Sequence, residues 1–303
     1  MAPRPSRRSM AASRFMQADI ADNTRRAYLA DLHHYTDCGC SIPTTVNELL
    51  WYLDERAGLD AVSTLKRRVM AIRYAHVIQG LASPTDDPTV KLVLRNFKRR
   101  YGSAQRQAKP LLRRELRKII RSMNKTAKDL RDKALLLVGF AGAFRRSELI
   151  GLNIEDLERV EQGYLIKLRR SKTDQEQIGR IIAIPKIRNS LCPVTAIDRW
   201  LQAATIDKGP IFQRLARNGK PNGVRLCAAY VSSVLKSRLR AAGIKADDYS
   251  AHSLRAGLVT EAAKAGVPAW KIQQTTGHKT ESMLARYIRD ADLWTGNAAH
   301  AAM

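Results

Sequence analysis

Between Tyr101 and Pro110 the chain loses the apolar periodicity that runs on either side of it. Gly, Ser, Ala, Gln and Arg fill that stretch with no repeating hydrophobic position, which predicts a linker over 102–110. A chain so interrupted must build two separate cores, and 303 residues are enough for two ordinary domains. Hydrophobic residues make up 45% of the chain, which supplies apolar material for both cores and excludes wholesale disorder. The longest unbroken apolar run, Ala134 to Phe144, has 11 residues, whereas crossing a bilayer takes roughly 18 or more. A membrane-spanning helix is excluded.

Charge narrows the partners. The formal net charge is +25, and a folded protein with such an excess attracts polyanions, either nucleic acid or an anionic membrane surface. No long basic amphipathic helix ends in an apolar anchor, so nucleic acid is favoured. Between Lys91 and Lys128 fourteen basic residues, among them Arg99, Arg100, Lys109, Arg113 and Arg114, face one acid, Glu115. A charge run is ordinarily a solvated face, but so one-sided a run repels itself without an anionic partner. A basic joint between two domains predicts a clamp around a duplex. Arg4, Arg7, Arg8 and Arg14 give the N-terminus the composition of a transit peptide; a disordered basic arm over 1–12 is the preferred reading. Four cysteines make no disulfide scaffold and fit a reducing cytoplasm. Cys38 and Cys40 beside His33 and His34 lack zinc-ligand spacing, so no metal is expected.

Residues 13–101 read as a wholly helical domain. Asn23 or Thr24 caps a first helix, Thr44 or Thr45 a second, Ser63 precedes a third, and Pro84 and Pro88 bracket a turn before a fourth from Val90 to Tyr101. Arg25, Arg26, Lys66, Arg67 and Arg68 are its candidate DNA contacts. Residues 111–290 mix types. A helix from Leu130 to Leu149 leads to strands near Leu157–Val160, Tyr164–Leu168 and Ile178–Ile184, and helices follow at Val194–Ala203, Ala228–Ala242, His252–Ala265, Ala269–Thr276 and Thr280–Arg289. Residues 291–303 form a tail. The fold class is mainly α with a small antiparallel β-sheet.

Several short patterns carry possible chemistry. Arg145 and Glu148 are three apart and share a helix face, so the carboxylate can preorganise the guanidinium fork for a phosphate; taken alone, a salt bridge accounts for the pair. His252 and Arg255 repeat the spacing, and alone they read as solvent-facing. Gly277-His278 is followed nine residues later by Tyr287. On one continuous helix those side chains would point opposite ways, but Gly277 as a stop and Thr280 as a new cap allow a bend. Tyr287 also fits a core position beside Met283, Leu284 and Ile288. Lys172 lies in the polar connection between two strands, where a lysine is either solvated or reaches into a cleft.

Taken in order, Arg145-x-x-Glu148, Lys172 on a β-hairpin, His252-x-x-Arg255, Gly277-His278 and Tyr287 resemble the tyrosine recombinase (phage integrase) family. The resemblance implies a helical core-binding (SAM-like) DNA-binding domain followed by a mixed α+β catalytic domain. It implies Tyr287 as nucleophile, forming a 3′-phosphotyrosyl link and freeing a 5′-hydroxyl. Arg145 and Arg255 would neutralise the non-bridging oxygens, as an attack on an anionic phosphodiester requires. By the same likeness His252 accepts the phenolic proton, Lys172 protonates the 5′-oxygen, His278 hydrogen-bonds the phosphate and Glu148 orients its neighbours.

A phosphotyrosine keeps the bond energy, so the likeness implies neither ATP nor a metal, and the sequence has no Walker loop and no acidic metal cluster. Only about twenty residues precede the first helix of the helical domain, so a simple two-domain, Xer- or Cre-like enzyme is expected. Its partners would be double-stranded DNA with an inverted-repeat site and three further copies in a tetramer, with the tail through Leu293 and Trp294 packed on a neighbour. Two alternatives stay open: a type IB topoisomerase-like enzyme that nicks and reseals one duplex, and a DNA-binding protein of this fold that does not cut.

Overall fold

A computed structural model describes residues 20–102, 108–168, 179–278, Thr280 and Leu284, and the statements below concern those residues. The chain divides into two compact units, 1–106 and 107–303. Among the described residues no helix is long and apolar enough to cross a membrane.

The first unit is helical: α1 (Asp22–Asp37), α2 (Val46–Glu55), α3 (Val62–Val77), a 3-10 turn over Pro84–Asp86 and α4 (Pro88–Tyr101). The Thr45 side chain accepts the Glu48 N–H and starts α2, and Asp87 does the same for α4 with Pro88 in the first turn. Three starts differ from expectation. Helix α1 begins at Asp22, ahead of Asn23 and Thr24, α3 at Val62, so Ser63 lies inside its first turn, and α4 at Pro88, two residues ahead of Val90. The core gathers Tyr35, Leu49, Tyr52, Leu53, Leu65 and Ile72, with the rings of Tyr35 and Tyr52 edge-on at 4.7 Å.

The second unit packs α6 (Ala127–Ala141) against α8 (Pro193–Ala204), beside a three-stranded antiparallel sheet in the order β1 (Leu157–Val160), β2 (Gly163–Leu168), β3 (Arg180–Pro185). In register, Leu168 faces Arg180 and Ile166 faces Ile182. Ile182 and Ile184 are buried while Ile181 and Ala183, which alternate with them, are exposed, which is the alternation expected of a half-covered strand. Asp132, 1% exposed, binds both Arg131 and Arg238, tying α6 to α9 (Ala228–Ala241) inside the core. The remaining elements are α5 (Arg113–Arg121), α7 (Arg146–Gly151), β4 (Gln213–Leu215), β5 (Pro221–Arg225), α10 (His252–Lys264) and α11 (Ala269–Thr276). Neither α5 nor the β4–β5 hairpin is evident in the sequence reading. In α5 the apolar positions Leu116, Ile119 and Ile120 do follow i, i+3, i+4, amid a surplus of charge.

The helix expected over Leu130–Leu149 is in fact two. It stops at Ala141, Ala143 takes a φ of 46°, and a new helix starts at Arg146. A methyl group on Gly142 would lie 2.1 Å from the Phe144 ring, so the chain turns where the aromatic folds back onto it. Leu111 is fixed to α10 by its N–H, which donates to Ser253 O at 2.9 Å. The close approach depends on Gly257, where a Cβ would meet Leu111 O at 2.0 Å. Gly257→Ala forces backbone apart and is expected to cost about 1–3 kcal/mol in denaturant-monitored unfolding, with the loss confined to the second unit.

Candidate active site

The turn between α6 and α7 places the first arginine. Arg145 is the residue that caps α7, not a member of it, and Glu148 is the third residue inside. Glu148 Oε2 accepts the Arg145 backbone N–H at 2.9 Å, and Oε1 accepts its Nη1–H at 2.6 Å. One carboxylate therefore satisfies an orphan donor of the helix start and clamps the side chain of the same residue. The expectation that both residues share a helix face is corrected, and the hold on Arg145 is firmer than an i, i+3 pair would give.

The second pair starts α10. Ser250 N–H donates to Ser253 Oγ at 3.0 Å, His252 N–H donates to Ser250 Oγ at 3.2 Å, and Ala251 N–H donates to Ser232 Oγ at 3.0 Å. These side-chain bonds pin the helix start, so His252 is its first residue and Arg255 follows one turn on. Arg255 is 3% exposed, and its Nη1–H donates to Ala143 O at 2.8 Å. The left-handed residue that breaks the long helix thus supplies the carbonyl that holds the second arginine. Non-glycine φ values of this sign are costly and are tolerated where surrounding contacts enforce them.

Gly277 ends α11 with a φ of 65°, as expected of a helix stop, and His278 follows directly. Its Nδ1 is hydrogen-bonded to Thr276 Oγ1 at 2.8 Å. The imidazole is pushed down to about 4, first by burial and then by Arg255, Arg145, His252 and Arg180. His252 reaches the surface, yet desolvation by the protein around its ring, followed by Arg255 and Arg145, lowers its value too. Four of the expected site residues, Arg145, His252, Arg255 and His278, therefore share one electrostatic neighbourhood, with Glu148 among them. Lys172 and Tyr287 lie outside the described residues, as do Leu293 and Trp294. Leu284, close to Tyr287 in sequence, is fully buried with Val259 and Ile272.

Arg180 joins this cluster without any sequence signal. It opens β3, and its Nη2 is 3.7 Å from Glu148 Oε2. An arginine at a strand start matches no spacing rule, so only its position in space reveals it.

The candidate DNA contacts divide by exposure. Lys66, Arg26, Arg99, Arg100, Lys109, Arg113 and Arg114 are exposed. Arg25 is paired with Asp22 at 3.2 Å, and half-exposed Arg67 forks onto buried Asp31 at 2.7 and 2.9 Å. Arg68 is a correction. It is buried, with Nη1 on Asp60 at 2.8 Å and Nε 3.8 Å from Asp31, so its charge is neutralised inside the first unit.

A mainly helical fold with a small antiparallel sheet thus carries two clamped arginines beside two imidazoles of lowered basicity. Residues 109–293 match the phage integrase family. The chain is 35% identical to an integrase/recombinase xerD homolog of Selenomonas ruminantium, over 96% of this chain and 89% of that one. It is 28% identical to the recombinase cre of Escherichia phage P1, over 84% and 78% of the respective chains. Among solved structures it resembles the XerH site-specific recombinase bound to a palindromic difH substrate, with a TM-score of 0.66 at 18% identity, covering 91% of this chain and 78% of that one. The chain belongs to the phage integrase family, the tyrosine recombinases that transfer DNA strands.

With an ordinary imidazole at 6.5 and folded His278 at about 4, the unfolded chain takes up a proton that the folded one refuses. Stability from this group is complete above 6.5 and is lost as pH falls from there towards 4. An NMR titration should show His278 and His252 both titrating below 6.5, with unfolding of the second unit growing easier over the same interval.

Proposed function

We propose that the chain cleaves a specific DNA site through Tyr287, holds the strand as a 3′-phosphotyrosine and rejoins it to a different 5′-hydroxyl. The observation that carries this reading is the convergence of Arg145 and Arg255, each already fixed by a protein acceptor, on the two imidazoles of His252 and His278. Two forks suit the two non-bridging oxygens of a phosphodiester.

In the forward step Tyr287 Oη bonds to phosphorus and the bond from phosphorus to the 5′-oxygen breaks. The phenolic proton passes to His252, and Lys172 donates a proton to the departing 5′-oxygen. A phenol ordinarily ionises near pH 10, so it needs a base, and lowering the His252 value keeps that ring free to accept. When the Thr276 hydroxyl donates to His278 Nδ1, Nε2 carries the proton and donates to a phosphate oxygen. The reverse step with a 5′-hydroxyl from a second duplex completes exchange. Two duplexes contain four cleavage positions, which a homotetramer on paired DNA supplies with one active site each. Residues 13–101 would serve as the core-binding domain and 111–290 as the catalytic domain.

Exposed Arg26, Lys66, Arg99, Arg100, Lys109, Arg113 and Arg114 would bind backbone phosphates and make affinity salt-dependent. Arg25 and Arg67 could join them only by sharing their carboxylate partners. The four free thiols support action in a reducing cytoplasm, on nucleoid DNA. A DNA site carrying a nick beside the cleavage position traps the intermediate. Wild type should accumulate a covalent adduct on it and Tyr287→Phe none; an adduct that survives the substitution overturns the assignment. Arg145→Ala and Arg255→Ala should each slow cleavage at least ~100-fold while site binding by gel shift persists. Strand exchange between paired sites separates recombination from relaxation of any supercoiled plasmid, the topoisomerase outcome.

A further inference from the structure

Arg180 has no part in the steps above, yet its guanidinium sits among the groups that perform them. Both Nη atoms are buried, and among the described residues neither has a hydrogen-bond partner. Nη2 stands 3.7 Å from Glu148 Oε2, the oxygen that accepts the Arg145 N–H. On the other side, a Cβ built on Gly277 would lie 2.2 Å from Nη1. The head group is thus wedged between the carboxylate that clamps Arg145 and the backbone that immediately precedes His278.

A salt bridge to Glu148 does not account for this placement. Both carboxylate oxygens are already engaged by Arg145 at 2.6 and 2.9 Å, and 3.7 Å is too long for a hydrogen bond. Burying a guanidinium with unsatisfied donors is costly. One carboxylate set against Arg145, Arg180 and Arg255 leaves an excess of two positive charges. In the free protein that excess is repulsive, and Arg145 is one of the groups that lowers the Arg180 value after desolvation. An entering phosphodiester offsets it, and the negative charge that grows on the non-bridging oxygens as the fifth bond forms offsets it further.

We propose that Arg180 is a positioning residue of strand cleavage: it shares Glu148 with Arg145 and packs under Gly277 to set His278, adding a third guanidinium to the field around the scissile phosphate. Glycine at 277 belongs to the same device, since any side chain there would occupy the volume of the Arg180 head group. The inference rests on the strand-transfer reading and goes beyond the groups that reading uses.

The test measures single-turnover cleavage of the nicked site, with DNA affinity by gel shift, folding by circular dichroism and the His278 titration by NMR. Arg180→Ala should slow cleavage about 10- to 100-fold at unchanged affinity and fold. The groups facing His278 are Arg255, Arg145, His252, Arg180 and Thr276. Removing one cation raises the imidazole value, so the His278 titration should move to higher pH. Arg180→Lys keeps the charge and should leave that titration in place while recovering part of the rate. An arginine that only supports the fold would leave the titration unmoved in both variants and give no recovery by lysine. Should Arg180→Ala fail to fold, Arg180→Met preserves the stem and is read identically. Cleavage within twofold of wild type, or a loss matched by weaker binding with an unmoved His278 titration, overturns the proposal. A wild-type protein that forms no adduct would instead sink the strand-transfer reading itself.

Discussion

The carboxylate of Glu148 is the interaction on which the second unit's chemistry depends. Its side chain is 2% exposed, and an isolated carboxylate so deeply buried would be prohibitively costly. Arg145 offsets that cost by offering it a backbone N–H and a guanidinium at once. The start of α7, the direction of Arg145 and the crowding of Arg180 all follow from that single group. Removing it would do more than delete an ion pair. It would free a helix start and leave guanidiniums facing one another with nothing between them.

Backbone geometry supplies the remaining constraint. A helix that ran unbroken from Ala127 past Arg145 would direct that arginine by helical phase alone. The turn at Gly142 and Ala143 frees it from that phase and brings a carbonyl to Arg255. Gly257 lets Leu111 lie against the helix that carries His252 and Arg255, and Gly277 lets the chain stop beside Arg180. Each is a place where a side chain would separate elements that must touch. The apolar core around α6 and α8 holds these approaches in register, and the polar groups are organised at its edge.

Much of this was legible beforehand, for identifiable reasons. A threonine set ahead of an apolar helical period, as at Thr45, marks a helix start wherever the chain is read. The alternation through Ile182 and Ile184 marks a half-buried strand. Arg145, Glu148, His252, Arg255 and His278 were legible because their spacing and order are unusual, although none is informative alone. The break after Ala141 was hidden, since Ala, Phe and Gly there continue an apolar helical pattern and only the folding back of Phe144 ends it. Charge counts could not tell that Arg68 is neutralised internally by Asp60 and Asp31, because those acids are distant or separated in sequence. The β4–β5 hairpin has too few apolar positions to show a period. Arg180 had no local signature at all, since its meaning lies in what two remote segments bring beside it.

The most direct measurement is an experimental structure of the protein on its DNA site, trapped before cleavage. In that structure the scissile phosphate should place its non-bridging oxygens within hydrogen-bond distance of Arg145 and Arg255, with the Tyr287 hydroxyl, from the same or an adjoining copy, in line behind phosphorus. A phosphate bound elsewhere, with that hydroxyl remote from both guanidinium groups, would contradict the strand-transfer reading.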